Sequence, residues 1–512
     1  MGLGAFAARK IKCPFNGLVW LEFIIALLGC TAIMIIGGLI GFSQILPQVL
    51  IDTFGLPPDA LPRGGIFKTI SWLALKTPYL FGFVLGFFIG MEIPLIAKIR
   101  EHIHQKHLSN NLGTIYGADY IGAGIGAAIW VMLLLSIDIS KASALTALLN
   151  LIAGSVFIIC YWHKIKWRKL LLSLHAVLVV MLFFIYQHGN SWLNQMSNLL
   201  YLDNVVYNEK TRYQQVTITE RQMGLDQPPI FNLYLNGRLQ FSSADEHIYH
   251  SYLVTPAMAI SARHDNVLII GGGDGLALRD VLNWSPEKVT LIDLDEELIS
   301  IFQSPANYLP SSLAHQIQQL NQQSLSDKRV ELIFADAFLA IDDLLSQNRS
   351  FDTIIVDLPD PSHPDLNKLY SVTFYAKLKQ LLASDGAISV QSTSPYHAKS
   401  AFIAIGKAMA AANYSGVNQY HDNVPSFGEW GWTIATKSGD APKARLHSLS
   451  SLPSFEPWLT LPLLLASFEF SQDYFKNADQ VPINYLGSHA IYQLHQSAWQ
   501  SQQGLNEAHY KN

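Results

Sequence analysis

A predicted strand that ends in a run of glycines constrains the fold of this chain more than any other feature of its sequence. Residues 267–275 read Val-Leu-Ile-Ile-Gly-Gly-Gly-Asp-Gly. The four apolar residues are typical of a parallel strand covered on both faces, and the glycines permit a tight turn and close approach of a ligand. Because residues 276–282 have helical character, the segment predicts the nucleotide-binding crevice of a doubly wound α/β sheet. Asp274 would repel a phosphate in that turn, so it indicates a cationic ligand; a linker or tight packing is the alternative.

Carboxylates also stand at the ends of three further predicted strands. They are Asp293 in the strand 289–294, Asp336 after the strand 330–335, and Asp357 after the strand 351–356. Ligands bind at the carboxyl ends of the strands in open α/β sheets, and an acid about twenty residues after the glycine turn is placed to accept hydrogen bonds from ribose hydroxyls. Each Asp alone is also explained by a turn or a helix cap. Together with Asp274 they predict a ligand site lined with negative charge.

The composition indicates a membrane protein with a water-soluble part. The 512 residues are enough for two or three domains. Half of them are hydrophobic and 14% are charged, and the mean hydropathy of +0.21 is high for a soluble protein. The net charge of -5 gives no argument for nucleic-acid binding. Cys13, Cys30 and Cys160 lack the spacing of a disulfide framework or of metal ligands, so we predict no metal site.

Long apolar runs are concentrated before residue 190. Each approaches the ~20 residues that a helix needs to cross a bilayer, and the fifth is the shortest. They lie at residues 19–42, 79–97, 120–137, 142–161 and 170–186. We therefore predict a transmembrane domain with about five helices over residues 1–190, in the cell (inner) membrane. The first run is too long for a cleaved signal peptide.

Three acids lie in or beside these apolar runs, where ionisable groups are costly and often functional. Glu22 and Glu92 are consistent with positions at the membrane interface. Asp119 is flanked by glycines near four-residue spacing, a pattern that favours close helix packing. A polar packing network explains Asp119, and a path for cations is the alternative. The flanking glycines are Gly113, Gly117, Gly122 and Gly126.

The basic residues give a conflict about orientation. Three clusters fall on one side of a five-helix arrangement, and the positive-inside rule makes that side cytoplasmic. They are Arg9, Lys10 and Lys12; Lys98, Arg100 and Lys106; and Lys164, Lys166, Arg168 and Lys169. The region after residue 190 would then face outward, whereas a nucleotide-type ligand favours the cytoplasm. Either the fifth segment does not cross, or the second half of the chain lies on an unexpected face.

The rest of the chain divides into three predicted regions. Residues 191–260 form a small β-rich region, in which Asn236-Gly237 is a hairpin signal. Residues 261–440 form the Rossmann-like doubly wound domain, and residues 441–512 form a C-terminal extension. The predicted fold is thus an α-helical multi-pass membrane domain, followed by a small β-strand region and an α/β domain.

A series of short motifs runs from about residue 200 to residue 440. They are Tyr213-Gln214, Leu235-Asn-Gly-Arg-Leu-Gln240, Asp245-Glu246, Tyr249-His250, Gly271-Gly-Gly-Asp-Gly275, Asp293-Leu-Asp295, Asp336, Asp357-Leu-Pro-Asp-Pro361, Phe374-Tyr375 and Gln391. In order, spacing and number they resemble the motifs of the polyamine aminopropyltransferases, which include spermidine synthase. Other segments resemble the membrane-embedded bacterial branch of that family. They are Gly90-Met-Glu-Ile-Pro94, Gly117-Ala-Asp-Tyr120, Pro361-Ser-His-Pro364 and Pro425-Ser-Phe-Gly-Glu-Trp-Gly431.

The resemblance implies transfer of an aminopropyl group from decarboxylated S-adenosylmethionine to a diamine, with putrescine as the expected acceptor. The products would be spermidine and 5′-methylthioadenosine. The donor carries a sulfonium and an ammonium and the acceptor carries two ammoniums, so several carboxylates should line the site. The donor is a co-substrate, and no prosthetic group is implied. The implied partners are the polyamine substrate, the lipid bilayer and a second copy of the chain.

The same resemblance implies roles for individual residues. Asp357 is implied as the base that deprotonates the attacking amine, and Asp360 as the group that orients the aminopropyl chain. The implied donor-binding residues are Gln214, Gly271, Gly273, Asp274 (donor amine), Asp293 (ribose) and Asp336 (adenine amino group). The implied substrate-binding residues are Tyr249, His250 and Gln391.

Departures from the family pattern leave the acceptor open. Leu276 stands where many soluble members have a further glycine, and Val424 stands where they offer a Tyr to the acceptor amine. Glu429, Trp430 or Trp432 would then shape that end of the pocket. Two other functions compete with the main hypothesis. An S-adenosylmethionine-dependent methyltransferase is disfavoured because the acids after the fourth strand would repel the methionine carboxylate, and a membrane polyamine sensor or transporter would use the domain only for binding.

Overall fold

The computed structural model describes residues 1–54, 65–104, 108–134, 137–198, 200–224 and 227–502. The chain divides into two compact units, Met1–Leu202 and Asp203–Asn512. Parts of the predicted regions lie outside the described residues. They are residues 55–64 and 105–107 of the predicted transmembrane domain (Lys106 among them), residues 135 and 136 of the third apolar run, residues 199, 225 and 226 of the small β-rich region, and residues 503–512 of the C-terminal extension.

The first unit is helical. Its helices are α1 (Gly2–Ala7), α2 (Pro14–Phe54), α3 (Ile66–His104), α4 (Leu108–Met132), α5 (Ile139–Cys160) and α6 (Arg168–Asn198). Among the described residues, α2 to α6 supply five segments long and apolar enough to cross a membrane, judged by length and composition. The predicted number is thus confirmed. The fifth predicted run ended at residue 186, whereas helix α6 has 31 residues and extends to Asn198.

The acids of the first unit differ in their surroundings. Glu22 on α2 and Glu92 on α3 are half-buried, and Glu92 is near enough to interact electrostatically with Glu22 and with Asp119. Asp119 on α4 is exposed. Around it, a Cβ added to each flanking glycine would meet no other described residue within 4 Å, so the predicted close packing is not made within the described part of this unit. These glycines are Gly113, Gly117, Gly122 and Gly126.

The second unit begins with a small antiparallel sheet. Its described strands are β1 (Asn204–Lys210), β2 (Gln215–Arg221), β3 (Ile230–Leu235) and β4 (Arg238–Ser242), paired in that order. The predicted hairpin joins β3 to β4, where Asn236 and Gly237 have φ values of +51° and +76°. A two-residue type I′ turn requires positive φ at both positions, which explains the Asn-Gly pair.

A mixed sheet forms the centre of the second unit. In the described residues it has seven strands, β5 (Asn266–Gly271), β6 (Lys288–Asp293), β7 (Val330–Phe334), β8 (Phe351–Asp357), β9 (Leu382–Gln391), β10 (Gly416–Val424) and β11 (Gly428–Thr436). The spatial order is β10-β11-β9-β8-β5-β6-β7. The strands from β5 to β9 run parallel, and β10 and β11 are antiparallel additions at one edge. The predicted strands β5 to β8 are thus confirmed, and their carboxyl ends share one edge.

Both faces of this sheet are covered. Val267 and Ile269 of β5 belong to one hydrophobic cluster and Leu268 and Ile270 to another, and all four are fully buried. Successive side chains of a strand point to opposite faces, so burial on both faces explains an uninterrupted apolar run. The described helices of this unit are α7 (Glu246–Ile260), α8 (Leu276–Leu282), α9 (Glu296–Gln303), α10 (Ser311–Leu320), α11 (Ala337–Ser346), α12 (Val372–Leu381), α13 (Lys399–Ala411), α14 (Pro442–His447), α15 (Leu461–Ala466) and α16 (Ala490–Gln502).

Candidate active site

The glycine turn closes against the carboxyl end of β8. β5 and β8 are neighbours, and Gly271 is aligned with Asp357. A Cβ at Gly271 would lie 2.0 Å from the backbone oxygen of Asp357, and the φ of Gly271 is +81°, so glycine is required there. The N–H of Gly272 donates to the same oxygen at 3.1 Å. The turn therefore places Asp357 directly beside the end of β5.

Asp274 lies at the beginning of α8. Its Oδ1 accepts a hydrogen bond from the N–H of Leu276 at 2.9 Å. Burial raises the pKa of Asp274 to about 6; the positive charge of His250 lowers it, and the negative charge of Asp357 raises it. The carboxylate has lost solvation that a bound cation would replace.

Asp293 ends β6 on the other side of the glycine turn. Its Oδ1 accepts the N–H of Asp295 at 2.8 Å, and burial raises its pKa to about 7. A Cβ at Gly273 would lie 2.9 Å from Oδ2 of Asp293. The absence of a side chain at Gly273 therefore leaves this carboxylate in place.

Gln214 is brought to the same edge by Asp295. The side-chain amide of Gln214 donates to Oδ2 of Asp295 at 2.8 Å, and the hydroxyl of Thr211 donates to the same oxygen at 2.7 Å. Asp295 also accepts the N–H of Leu298 in the first turn of α9. Asp295 thus ties the β1–β2 connection to the α/β domain. Asp295 lies in the Asp293-Leu-Asp295 motif, but no role was predicted for it from the sequence.

Asp336 lies after β7 and is already engaged by protein groups. Its Oδ1 accepts the N–H of Phe338 at the start of α11, at 2.9 Å. Its Oδ2 forms an ion pair with Nζ of Lys368. An adenine amino group bound here would share the carboxylate with Lys368.

Asp357 is in contact with the two substrate-binding residues predicted on α7. Its Oδ1 accepts the hydroxyl hydrogen of Tyr249 at 2.7 Å. Its Oδ2 lies 3.9 Å from Nε2 of His250, beyond hydrogen-bond distance. Burial raises the pKa of Asp357, while the charge of His250 and the Tyr249 hydrogen bond lower it. Tyr249 therefore engages Oδ1, and Oδ2 faces the charge of His250 without a hydrogen bond to it.

A buried ionic network supports His250. Its Nδ1 lies 2.8 Å from Oε2 of Glu246, and Arg279 donates to both Glu246 oxygens at 2.8 and 3.1 Å. Arg279 also pairs with Asp280 at 2.7 Å. Burial favours neutral forms, but the mutual attraction prevails and places the pKa of Glu246 at about 2 and that of His250 at about 9. His250 is thus a cation beside Asp357, and sequence reasoning missed the roles of Glu246 and Arg279.

Asp360 follows β8 and is held by residues from two distant parts of the chain. The amide of Gln391, at the end of β9, donates to Oδ1 of Asp360 at 3.3 Å. The hydroxyl of Thr393 donates to Oδ2 at 3.2 Å, and Nε2 of His495 lies 3.0 Å from the same oxygen. His495 belongs to α16, in the predicted C-terminal extension. No motif in the sequence pointed to it.

The β10–β11 hairpin carries the residues that were expected to shape the acceptor end. Val424 is fully buried, and Glu429 is paired with His421. Trp432 is fully buried, with its ring centroid 5.8 Å from that of Tyr249. Of the three candidates, Trp432 is therefore the one that packs directly behind a predicted substrate-binding residue.

Comparison with known proteins gives one consistent family. The family description spermine/spermidine synthase domain matches residues 246–447. Over 506 residues the chain is 54% identical to a polyamine aminopropyltransferase of Shewanella oneidensis, covering 99% of this chain and 88% of that protein. Over 509 residues it is 30% identical to a polyamine aminopropyltransferase of Oceanobacillus iheyensis, covering 98% of this chain and 89% of that protein.

Two solved structures are similar to part of the chain. A crystal structure of spermidine synthase in complex with the transition state analogue AdoDATO has a TM-score of 0.46 and 24% identity, covering 54% of this chain and 89% of that chain. The spermidine synthase from Thermotoga maritima has a TM-score of 0.45 and 24% identity, covering 54% and 88%.

Proposed function

The chain belongs to the polyamine aminopropyltransferase family, and we propose that it transfers the aminopropyl group of decarboxylated S-adenosylmethionine to putrescine, giving spermidine and 5′-methylthioadenosine. The observation that carries this proposal is the group of carboxylates at one edge of the sheet. Burial raises the pKa values of Asp274, Asp293 and Asp357. A donor and an acceptor that both bear positive charge would compensate for the solvation these groups have lost.

The donor would lie along the ends of β5, β6 and β7. Asp274 would pair with its amine, Asp293 would accept hydrogen bonds from its ribose, and Asp336 would accept one from its adenine amino group. The backbone at Gly271 and Gly273 would allow the close approach. Gln214, fixed by Asp295, would contact the donor from the small sheet. The donor has no carboxylate, so the site needs no arginine to bind one. Arg279 is consistent with this, because it is already paired with Glu246 and Asp280.

Asp357 would be the base. The acceptor nitrogen attacks the methylene carbon bonded to the sulfonium; the N–C bond forms as the C–S bond breaks, and its electron pair stays on sulfur as a neutral thioether. The proton lost from nitrogen passes to Oδ2 of Asp357, while Tyr249 holds Oδ1 at 2.7 Å. A general base at hydrogen-bond distance accelerates a reaction by about 10²–10⁴-fold. Holding both substrates in line supplies further acceleration.

The acceptor would lie between Asp357 and Asp360. Asp360 would attract the ammonium and orient the aminopropyl chain, and Gln391 would help to keep it in position, because its amide donates to Asp360 and to the backbone oxygen of Leu358. Tyr249, supported from behind by the buried ring of Trp432, would supply the apolar wall for the methylene chain.

Putrescine is expected to be the preferred acceptor in a panel of diamines. With the detergent-purified protein and decarboxylated S-adenosylmethionine, its kcat/KM should exceed those of 1,3-diaminopropane and cadaverine by about tenfold or more, since one methylene changes binding by that order. Spermidine and 5′-methylthioadenosine should form in equal amounts. Preference for another diamine would refute the assignment of putrescine as the acceptor. Methyl transfer from S-adenosylmethionine without release of 5′-methylthioadenosine would refute aminopropyl transfer as the reaction.

Donor binding is expected to weaken in acid. Only ionised Asp274 pairs with the donor amine, and its pKa is about 6, so binding is strong above that pH and lost below it. The donor dissociation constant should rise about tenfold per pH unit below pH 6, measured by calorimetry. 5′-Methylthioadenosine lacks the amine and is the matched control. An equal loss of affinity for both ligands would contradict the role of Asp274.

Gly273→Ala is expected to weaken donor binding by about ten- to a hundredfold. The added Cβ, 2.9 Å from Oδ2 of Asp293, would displace that carboxylate and cost its hydrogen bonds with the ribose. The dissociation constant of 5′-methylthioadenosine measures the effect. Gly224→Ala is the control, because a Cβ there would meet no described atom within 4 Å. Unchanged affinity in Gly273→Ala would contradict the ribose assignment.

The five apolar helices would anchor the chain in the cell membrane as a multi-pass protein. Their length and composition support this placement. After alkaline extraction of membranes from cells that produce the chain, it should stay in the membrane pellet and require detergent for release. Recovery in the supernatant would contradict the placement.

A further inference from the structure

We propose that His495 is a positioning residue that fixes Asp360 for the acceptor amine, so that the C-terminal helix α16 completes the acceptor end of the site. This inference rests on the proposed function, because it concerns the group that would bind and orient the acceptor. It adds a residue that lies far outside the segment matched to the spermine/spermidine synthase domain, residues 246–447.

The contact between His495 and Asp360 is short and buried. Nε2 of His495 lies 3.0 Å from Oδ2 of Asp360, and the two side chains are 1% and 13% exposed. An ionised carboxylate can accept hydrogen bonds but cannot donate them. In this contact the hydrogen is therefore on Nε2 of His495. A hydrogen bond to a charged group stabilises more than one between neutral groups, and more so away from water.

Three protein donors fix Asp360 and still leave it able to bind a ligand. Thr393 and His495 both donate to Oδ2, and Gln391 donates to Oδ1. An ionised carboxylate offers about four acceptor positions. One remains on Oδ1, which is the position we assign to the acceptor ammonium. His495 makes the shortest of the three contacts.

The segment that carries His495 is attached to the loop that carries Asp360. The side-chain amide of Asn484 donates to the backbone oxygens of Asn367 and Tyr370, each at 3.0 Å. The N–H of Tyr492 donates to Oδ1 of Asn367 at 3.3 Å, and Ile491 is fully buried. Helix α16 is therefore anchored on residues 367–370, which follow Asp360 along the chain, and this anchored helix carries His495.

Substitution of His495 separates this role from a general structural one. His495→Leu removes the donor, and His495→Gln retains an N–H at the end of the side chain. We expect His495→Leu to raise the KM for putrescine by about ten- to a hundredfold. The KM for the donor should rise by a smaller factor, because Asp360 also orients the aminopropyl chain. The dissociation constant of 5′-methylthioadenosine, which lacks that chain, should stay within about twofold of the parent protein. His495→Gln should restore most of the loss. The measurements are steady-state kinetics with each substrate varied and calorimetry with 5′-methylthioadenosine.

The controls distinguish failure of the inference from failure of the proposed function. Gln496→Leu changes the exposed neighbour on α16 and should leave all three constants unchanged. Asp360→Asn should raise the putrescine KM by itself, and an unchanged KM there would refute the proposed acceptor site. If Asp360→Asn has its effect but His495→Leu leaves the putrescine KM within twofold, the inference is overturned. It is also overturned if His495→Leu weakens 5′-methylthioadenosine binding equally, or if Gln fails to rescue.

Discussion

Replacement of Asp357 by Asn is expected to lower kcat by about 10²–10⁴-fold, the range that a general base contributes. An amide of the same shape can still accept the hydrogen bond of Tyr249, which lies 2.7 Å from Oδ1, but it cannot take the proton from the acceptor amine. Donor binding should be retained, since Asp274 lies in the turn after β5 and Asp293 ends β6. Release of 5′-methylthioadenosine at saturating substrate concentrations measures kcat, and calorimetry measures donor affinity.

Asp365→Asn is the matched control for this experiment. Asp365 lies in the segment that follows β8, whose last residue is Asp357. Its side chain is 88% exposed, and its ion-pair partner is the exposed His363, 3.4 Å away. A surface pair of this kind contributes little, so turnover should be unchanged. Turnover in Asp357→Asn equal to that of the parent protein would refute the assignment of Asp357 as the base. Loss of donor binding together with turnover would show that the substitution disturbs the whole site.

The strand-end carboxylates could be predicted from the sequence because local signals determine them. An apolar run covered on both faces and a glycine turn identify a parallel strand and its carboxyl end. Since parallel strands end at one edge, Asp274, Asp293 and Asp357 had to meet there. The Asn236-Gly237 hairpin was predictable for the same reason, because few residue pairs adopt its positive φ values.

Contacts between distant segments could not be predicted in this way. Arg279 pairs with Glu246 across 33 positions of sequence, and His495 meets Asp360 across 135. No periodicity links such residues, and their partners follow only from the packing of α7 against α8 and of α16 against the loop after β8. Lys368 at Asp336 was missed for the same reason. The sequence revealed the carboxylates but not the protein groups that set their charge and orientation.

The fifth membrane helix was underestimated for a different physical reason. The apolar run stops at Tyr186, where Gln187, His188 and Asn190 begin a polar stretch. Hydropathy identifies the part of a helix that suits hydrocarbon, whereas the helix itself continues wherever its backbone hydrogen bonds are made. Helix α6 accordingly extends to Asn198. By length and composition, helix α6 is thus long enough and apolar enough to cross a membrane, and the orientation indicated by the basic clusters stays a prediction.

Glu246→Ala is expected to lower the free energy of unfolding of the second unit by about 3–5 kcal/mol, the cost of breaking a buried ion pair. Glu246 is 3% exposed and pairs with Arg279 at 2.8 Å and with His250 at 2.8 Å. Its removal leaves His250 without the carboxylate at Nδ1, and it leaves Arg279 with Asp280 and the backbone oxygen of Leu320. Because His250 also sets the charge beside Asp357, kcat should fall together with stability. The thermal unfolding midpoint of the detergent-purified protein and its turnover measure the two effects.

The pH dependence of the unfolding free energy tests whether the ionic network of Glu246, His250 and Arg279 causes this loss of stability. The pKa of His250 is raised to about 9 from 6.5, so its contribution is fully present below pH 6.5 and is lost as the pH rises through 9. The pKa of Glu246 is lowered to about 2 from 4.5, so its contribution is present above pH 4.5 and is lost as the pH falls toward 2. Glu246→Ala should abolish both dependences. Glu469→Ala, which breaks the exposed pair with Lys443, should change the midpoint little, and an equal loss in both variants would contradict the assigned role of the buried pair.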